Sequence, residues 1–118
     1  MMQPVHFEQN TIIGFTMSGK VTDDEIKQWA SALDRKSDGP DKLRVYIEAE
    51  NLDDITLDAI LADLKFDVTH LTDFEKAAFV SDTALSKLSS FMAGLIPGLE
   101  TKQFSLSEKE QAKRWIES

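Results

Sequence analysis

The chain contains no cysteine. That excludes a disulfide framework and thiolate metal sites, and it fits a reducing compartment. Positive charge is also short: 13 Lys and Arg stand against 21 Asp and Glu, a formal net charge of −8. Such a surface repels phosphate backbones and anionic lipid headgroups, so nucleic-acid binding and charge-driven membrane docking are not expected. No apolar run approaches the roughly 20 residues of a membrane span. The opening Met1-Met2-Gln3-Pro4-Val5 has neither a basic region nor an apolar core, so no signal peptide is expected and a cytoplasmic location follows. Neither G-x-G-x-x-G nor G-x-x-x-x-G-K-[ST] occurs, which removes the common phosphate-cradling loops. Only two histidines are present, His6 and His70, and neither has a second His or a Cys at ligand spacing. No metal and no cofactor are expected.

What remains is an ordinary globular composition, 42% hydrophobic and 29% charged over 118 residues. That length suits one domain, residues 1–118, able to bury roughly two-thirds of its unfolded surface without a metal or disulfide. Two short extended runs, Val5 to Glu8 and Ile12 to Ser18, flank Gln9-Asn10, a polar pair suited to a tight turn. They predict an antiparallel hairpin. In the second run Ile13, Phe15 and Met17 share one face, and Ile12, Gly14, Thr16 and Ser18 share the other.

Thr22-Asp23-Asp24-Glu25 is a capping box with acids at the positive end of a helix dipole. Ile26, Trp29, Ala30 and Leu33 then recur at helical spacing, and Ser37-Asp38-Gly39-Pro40 supplies the stop. Leu43 to Ala49 alternates as a strand. Leu57, Ile60, Leu61, Leu64 and Val68 form a second helical stripe. Ala77-Ala78-Phe79-Val80, small and apolar, reads as the heart of a buried strand in Phe74 to Ser81. Leu85, Leu88, Phe91, Met92, Leu95 and Ile96 predict a third helix, ended by Pro97-Gly98. A short strand at Thr101 to Phe104 follows, and Ser107-Glu108-Lys109-Glu110 is a second capping box opening a last helix. The order ββαβαβαβα predicts an α/β fold: a mostly parallel mixed sheet with an N-terminal antiparallel hairpin and right-handed crossovers.

Several clusters offer chemistry. Ser18-Gly19-Lys20 lies between a strand and a helix, but one glycine cannot build an anion nest and three acids follow; it reads as a turn. The acids Glu48, Glu50, Asp53, Asp54 and Asp58 straddle the end of the third strand, where open α/β sheets place ligands. They could hold a cation, though acids at a helix start need no such explanation. Thr56 and Ser81 are regulatory hydroxyl candidates at strand ends, where added phosphate charge at a helix N-terminus is tolerated. The uncharged segment Phe91 to Leu99 is the candidate ligand or interface surface, with Phe91, Met92, Leu95 and Ile96 as its apolar contacts.

The hairpin leading into Thr22-Asp23-Asp24-Glu25, the strand Leu43 to Glu48 before an amphipathic helix, the strand Lys76 to Asp82 before another, and the closing Gln103-Phe104 with a helix through Ala112 to Trp115 together resemble the SpoIIAA-like group of small STAS-related bacterial domains. The resemblance covers nearly the whole chain and is one of pattern. It implies a (βα) superhelix with strands in roughly sequential order. It also implies two precedents: anti-sigma factor antagonists, which bind a kinase-like partner and are switched by phosphorylation of a serine in an Asp-Ser-Ser-Gly-like loop, and lipid-exchange domains of the CRAL-TRIO type, which enclose apolar ligands. Here the corresponding loop reads Asp53-Asp54-Ile55-Thr56-Leu57-Asp58, without that serine or glycine, and Thr56 is the nearest hydroxyl. The expectation is therefore a non-enzymatic regulatory or protein-interaction module acting on a protein partner or as a homodimer. The alternative is a carrier for a small apolar, lipid-like molecule; an enzyme stands third.

Overall fold

The computed structural model describes residues 2–9, 11–19, 22, 24, 25, 27, 28, 42–50, 74–81 and 98–118. Five strands form one sheet in sequential order: β1 (Met2–Val5), β2 (Ile12–Ser18), β3 (Leu43–Glu50), β4 (Phe74–Val80) and β5 (Glu100–Phe104). β1 runs antiparallel to β2, and β2 through β5 are mutually parallel. This is the mixed sheet with an antiparallel start that the alternating pattern predicts. Of the three helices expected between the parallel strands, the first is described only at Asp24, Glu25, Lys27 and Gln28, which are helical, and the other two lie outside the described residues.

The hairpin differs from the sequence expectation. Its first strand is Met2–Val5 rather than Val5 to Glu8, while the link to β2 does close with a turn, the Ile12 N–H donating to Gln9 O at 3.3 Å. The cause is Phe7. Instead of continuing the strand, its ring folds over the sheet, is 9% exposed, and meets the Tyr46 ring edge-on at 5.5 Å and 65°. The ring occupies the space that a side chain at position 14 would need. A Cβ on Gly14 would lie 2.5 Å from the Phe7 ring and 3.0 Å from Val5 Cβ. Pro4, which cannot donate to a ladder, is accommodated because β1 is an edge strand.

The pleat of each strand divides the core in two. Ile12, Tyr46, Ala78, Val80 and Phe104 face the last helix (Lys109–Glu117), which contributes Ala112 and Ile116. In register, Gly14, Tyr46 and Ala78 lie side by side on neighbouring strands, so the large phenol ring sits between two small residues. On the opposite face Ile13, Met17, Val45, Ile47, Ala77 and Phe79 are also buried. The run from Ala77 to Val80 is wholly inaccessible, as a strand covered on both faces must be. Each large side chain so buried contributes about 1.5–3 kcal/mol.

The last helix is tied at both ends. Its start is a capping box two residues earlier than the expected Ser107–Glu110. The Glu108 carboxylate accepts from the Ser105 N–H and from the Ser105 hydroxyl, both at 3.0 Å, through a 3-10 turn at Leu106–Glu108. Ser105 is used because it directly follows Phe104, where β5 ends and the chain must turn. At the other end the terminal carbonyls, which lack intrahelical donors, all find partners. Ser118 N–H serves Arg114 and Trp115, Arg44 Nη1 donates to Ile116 O at 2.9 Å, and Gln9 Nε2 donates to Glu117 O at 3.1 Å. A register shift between Leu43 and Arg44 sets Glu75 beside Arg44, and its carboxylate holds the guanidinium at 2.8 Å. Lys76 Nζ lies 5.0 Å above the Trp115 ring and reaches Ser118 Oγ at 3.3 Å.

Candidate functional site

Most of the residues singled out from the sequence lie outside the described residues: Phe91, Met92, Leu95 and Ile96 of the uncharged segment, Thr56, His70, and the acids Asp53, Asp54 and Asp58. Ser81 is described. It is the half-buried residue immediately after β4, and its N–H donates to Phe104 O at 2.9 Å, extending the β4–β5 ladder by one bond. His6 is exposed and follows β1 rather than lying within a strand. Gly19 has φ +58, the left-handed geometry that glycine adopts without strain, in keeping with a turn after β2.

At the C-terminal ends of the parallel strands the polar chemistry is turned inward. Tyr46, the one tyrosine of the chain, is fully buried, and its hydroxyl donates to Glu48 Oε1 at 2.7 Å. The two residues lie on the same strand and face, two positions apart. Burial, then the hydrogen bond and charge of Glu48, push the phenol well above its ordinary range, with Glu110 adding to the effect. The phenol therefore stays protonated, as a donor, beyond the pH at which a free tyrosine ionises. Glu50, the other described member of the acidic cluster, is exposed at the end of β3.

The two edges of the sheet present different chemistry. Along β1, Met2 and Pro4 point their backbone the same way, since ladder groups alternate along a strand. The Met2 N–H donates to Glu25 Oε2, and Pro4 has no N–H. Glu25 is held for this task by the box anticipated from the sequence: its N–H donates to Thr22 Oγ1 and its Oε1 accepts the Thr22 N–H, both at 3.2 Å. These bonds, that from Thr22 first and that from Met2 second, lower the Glu25 carboxyl below its usual range.

Along β5 the ladder direction is fixed by the bond from Ser81 N–H to Phe104 O. Phe104, and by alternation Lys102 and Glu100, direct their backbone groups to β4. Thr101 and Gln103 therefore direct theirs away from the sheet, and among the described residues no strand lies beyond them. Glu100, Lys102 and Gln103 are exposed and Thr101 is half-buried. Lys102 Nζ stands 5.4 Å over the Phe104 ring, on the side of the last helix. Its charge also contributes to holding the Glu108 carboxyl below the usual range, after the two bonds from Ser105. Sequence reading alone does not find this edge, because openness is a property of strand order and ladder phase.

The family model described as SpoIIAA-like matches residues 12–117. Among solved structures, the chain is similar to an uncharacterised protein of the DUF3478 family with a SpoIIAA-like fold from Shewanella loihica PV-4. The TM-score is 0.66 at 20% identity, over 98% of this chain and 92% of that one. No curated protein matches the chain. Among the described residues no helix is long and apolar enough to cross a membrane.

Proposed function

Because the chain belongs to the SpoIIAA-like family, we propose that it is a non-enzymatic module that acts by contact with a protein partner or with a second copy of itself, in the cytoplasm. The observation that carries this reading is the contrast between the sheet's interior and its β5 edge. At the strand ends where α/β enzymes gather reactive groups, two pairs of described polar side chains serve the fold. The Tyr46 hydroxyl is committed to Glu48, and the Glu108 carboxylate to Ser105. The N–H and C=O groups of Thr101 and Gln103, by contrast, are directed away from the sheet, which supports contact with another chain.

The phosphoserine switch of the anti-sigma factor antagonists does not transfer residue by residue, since the Asp53 to Asp58 loop lacks the serine and glycine of that motif. The hydroxyls proposed for regulation are Thr56 and Ser81.

Native mass spectrometry of the protein purified from its own host, set beside its denatured mass, tests the proposal. A complex with protein that dissociates on denaturation is the expected result. A small apolar adduct on a protein otherwise alone would overturn it in favour of a carrier.

A further inference from the structure

We propose that β5 pairs antiparallel with β5 of a second copy in one register, Thr101 opposite Thr101, joining two five-stranded sheets into one. The inference rests on the interaction-module reading and names its partner and surface.

The argument begins with the phase of the ladder. Only Thr101, Gln103 and, by alternation, Leu99 direct backbone groups outward, so hydrogen bonds form only when these residues face one another. A twofold axis through Thr101 satisfies this condition. Two Thr101 residues exchange both of their bonds, and each Gln103 faces the other copy's Leu99. Such an isologous contact closes on itself and leaves no further edge at that side.

Charge then chooses among the registers that the ladder permits. With Thr101 on the axis, Glu100 of each copy lies opposite Lys102 of the other, giving two opposite-charge pairs. These are non-hydrogen-bonded positions, where facing Cα atoms come within about 4.5 Å and side chains are closest. Sliding the copies by one permitted step sets Lys102 against Lys102. Sliding the other way sets Glu100 against Glu100. Directly opposed like charges are destabilising. The Phe104 ring beneath Lys102 keeps the ammonium at the edge, 5.4 Å from the ring centre.

The far edge lacks the outward donors for this role. β1 offers no outward N–H at Pro4, and its outward N–H at Met2 is already bound by Glu25. Alternating charges on an edge strand ordinarily keep it solvated. Here their order, acid then base two residues later, makes the register with Thr101 on the axis the one that sets acid against base twice.

The test is sedimentation velocity over a concentration series on wild type, Glu100→Lys, Lys102→Glu, the two single variants mixed in equal amounts, and the double variant carrying both changes on one chain. Circular dichroism of each confirms its fold. Wild type is expected to self-associate. Each single variant faces its copy with two like-charge pairs and is expected to associate at least about tenfold more weakly. The mixture restores both opposite-charge pairs and is expected to form a heterodimer near wild-type strength, as is the double variant with itself.

Wild type that stays monomeric throughout, or single variants that associate as wild type does, would overturn the β5 pairing. Neither result would touch the broader reading, which stands or falls on whether a protein complex is recovered from the host.

Discussion

The two edges of this sheet face the same hazard, unpaired backbone groups, and meet it in opposite ways. β1 offers no outward N–H for pairing: Pro4 has no hydrogen to donate, and the Met2 N–H is taken by a carboxylate from the Thr22–Glu25 cap. β5 carries Thr101 and Gln103 with their donors and acceptors directed outward, flanked by Glu100 and Lys102. The contrast shows that a helix cap can do two tasks at once, ending a helix and shielding a strand. It also shows that edge charge guards against association only in the registers where like meets like.

The largest effect is expected from removing what holds β5 in place. Phe104 is 8% exposed, belongs to the core beneath the last helix, and packs 6.2 Å from the Trp115 ring. Phe104→Ala should cost about 3–5 kcal/mol in urea unfolding, and should abolish self-association along with it. Next comes the β1 side. Gly14→Ala places a methyl group against the Phe7 ring and the Val5 backbone, at a cost of about 1–3 kcal/mol. Combining it with Phe7→Ala should cost less than the two single changes summed, because the second removes the obstacle met by the first.

Between the edges, Tyr46→Phe should cost about 1 kcal/mol at neutral pH for the lost bond to Glu48. The alkaline limb is more diagnostic. In the unfolded chain the phenol ionises near pH 10, whereas in the fold burial and Glu48 keep it protonated to higher pH. The unfolded state therefore binds fewer protons above about pH 10, and wild-type stability falls as pH rises there. The difference between wild type and Tyr46→Phe should shrink or reverse over that range, measured by urea midpoint at successive pH values.

The smallest effect on stability belongs to the closed edge itself. Glu25 has its folded pKa lowered by the bonds from Thr22 and Met2. Its contribution is thus complete above the ordinary glutamate range and is lost as pH falls through the lowered folded value. Glu25→Ala should flatten that acid limb. Joined to Pro4→Ala, it reopens both outward donors of β1, and the double variant should gain an association absent from wild type carrying the Lys102→Glu change.

Much of this architecture is legible in the sequence. The alternation from Leu43 to Ala49, the uncharged Ala77 to Val80 and the Thr22–Glu25 box each have a local cause, and each appears where expected. The misplacements have non-local causes. Nothing in the neighbourhood of Phe7 says that its ring belongs over Gly14 and Tyr46, so the first strand reads as Val5 to Glu8. Ser105 and Ser107 both stand three residues before a glutamate, and the choice between them depends on where β5 stops. Of the candidate site residues, the place of Ser81 at a strand end is legible, while the Tyr46–Glu48 bond and the open edge depend on burial and ladder phase.

The most direct test of the contrast between the edges is amide hydrogen exchange at single-residue resolution, followed as protein concentration is raised. The account predicts that protection at Thr101 and Gln103 grows with concentration, while Lys102, paired to β4 in any case, and Met2, bound by Glu25, keep constant protection. Rapid exchange at Thr101 and Gln103 at every concentration would contradict it.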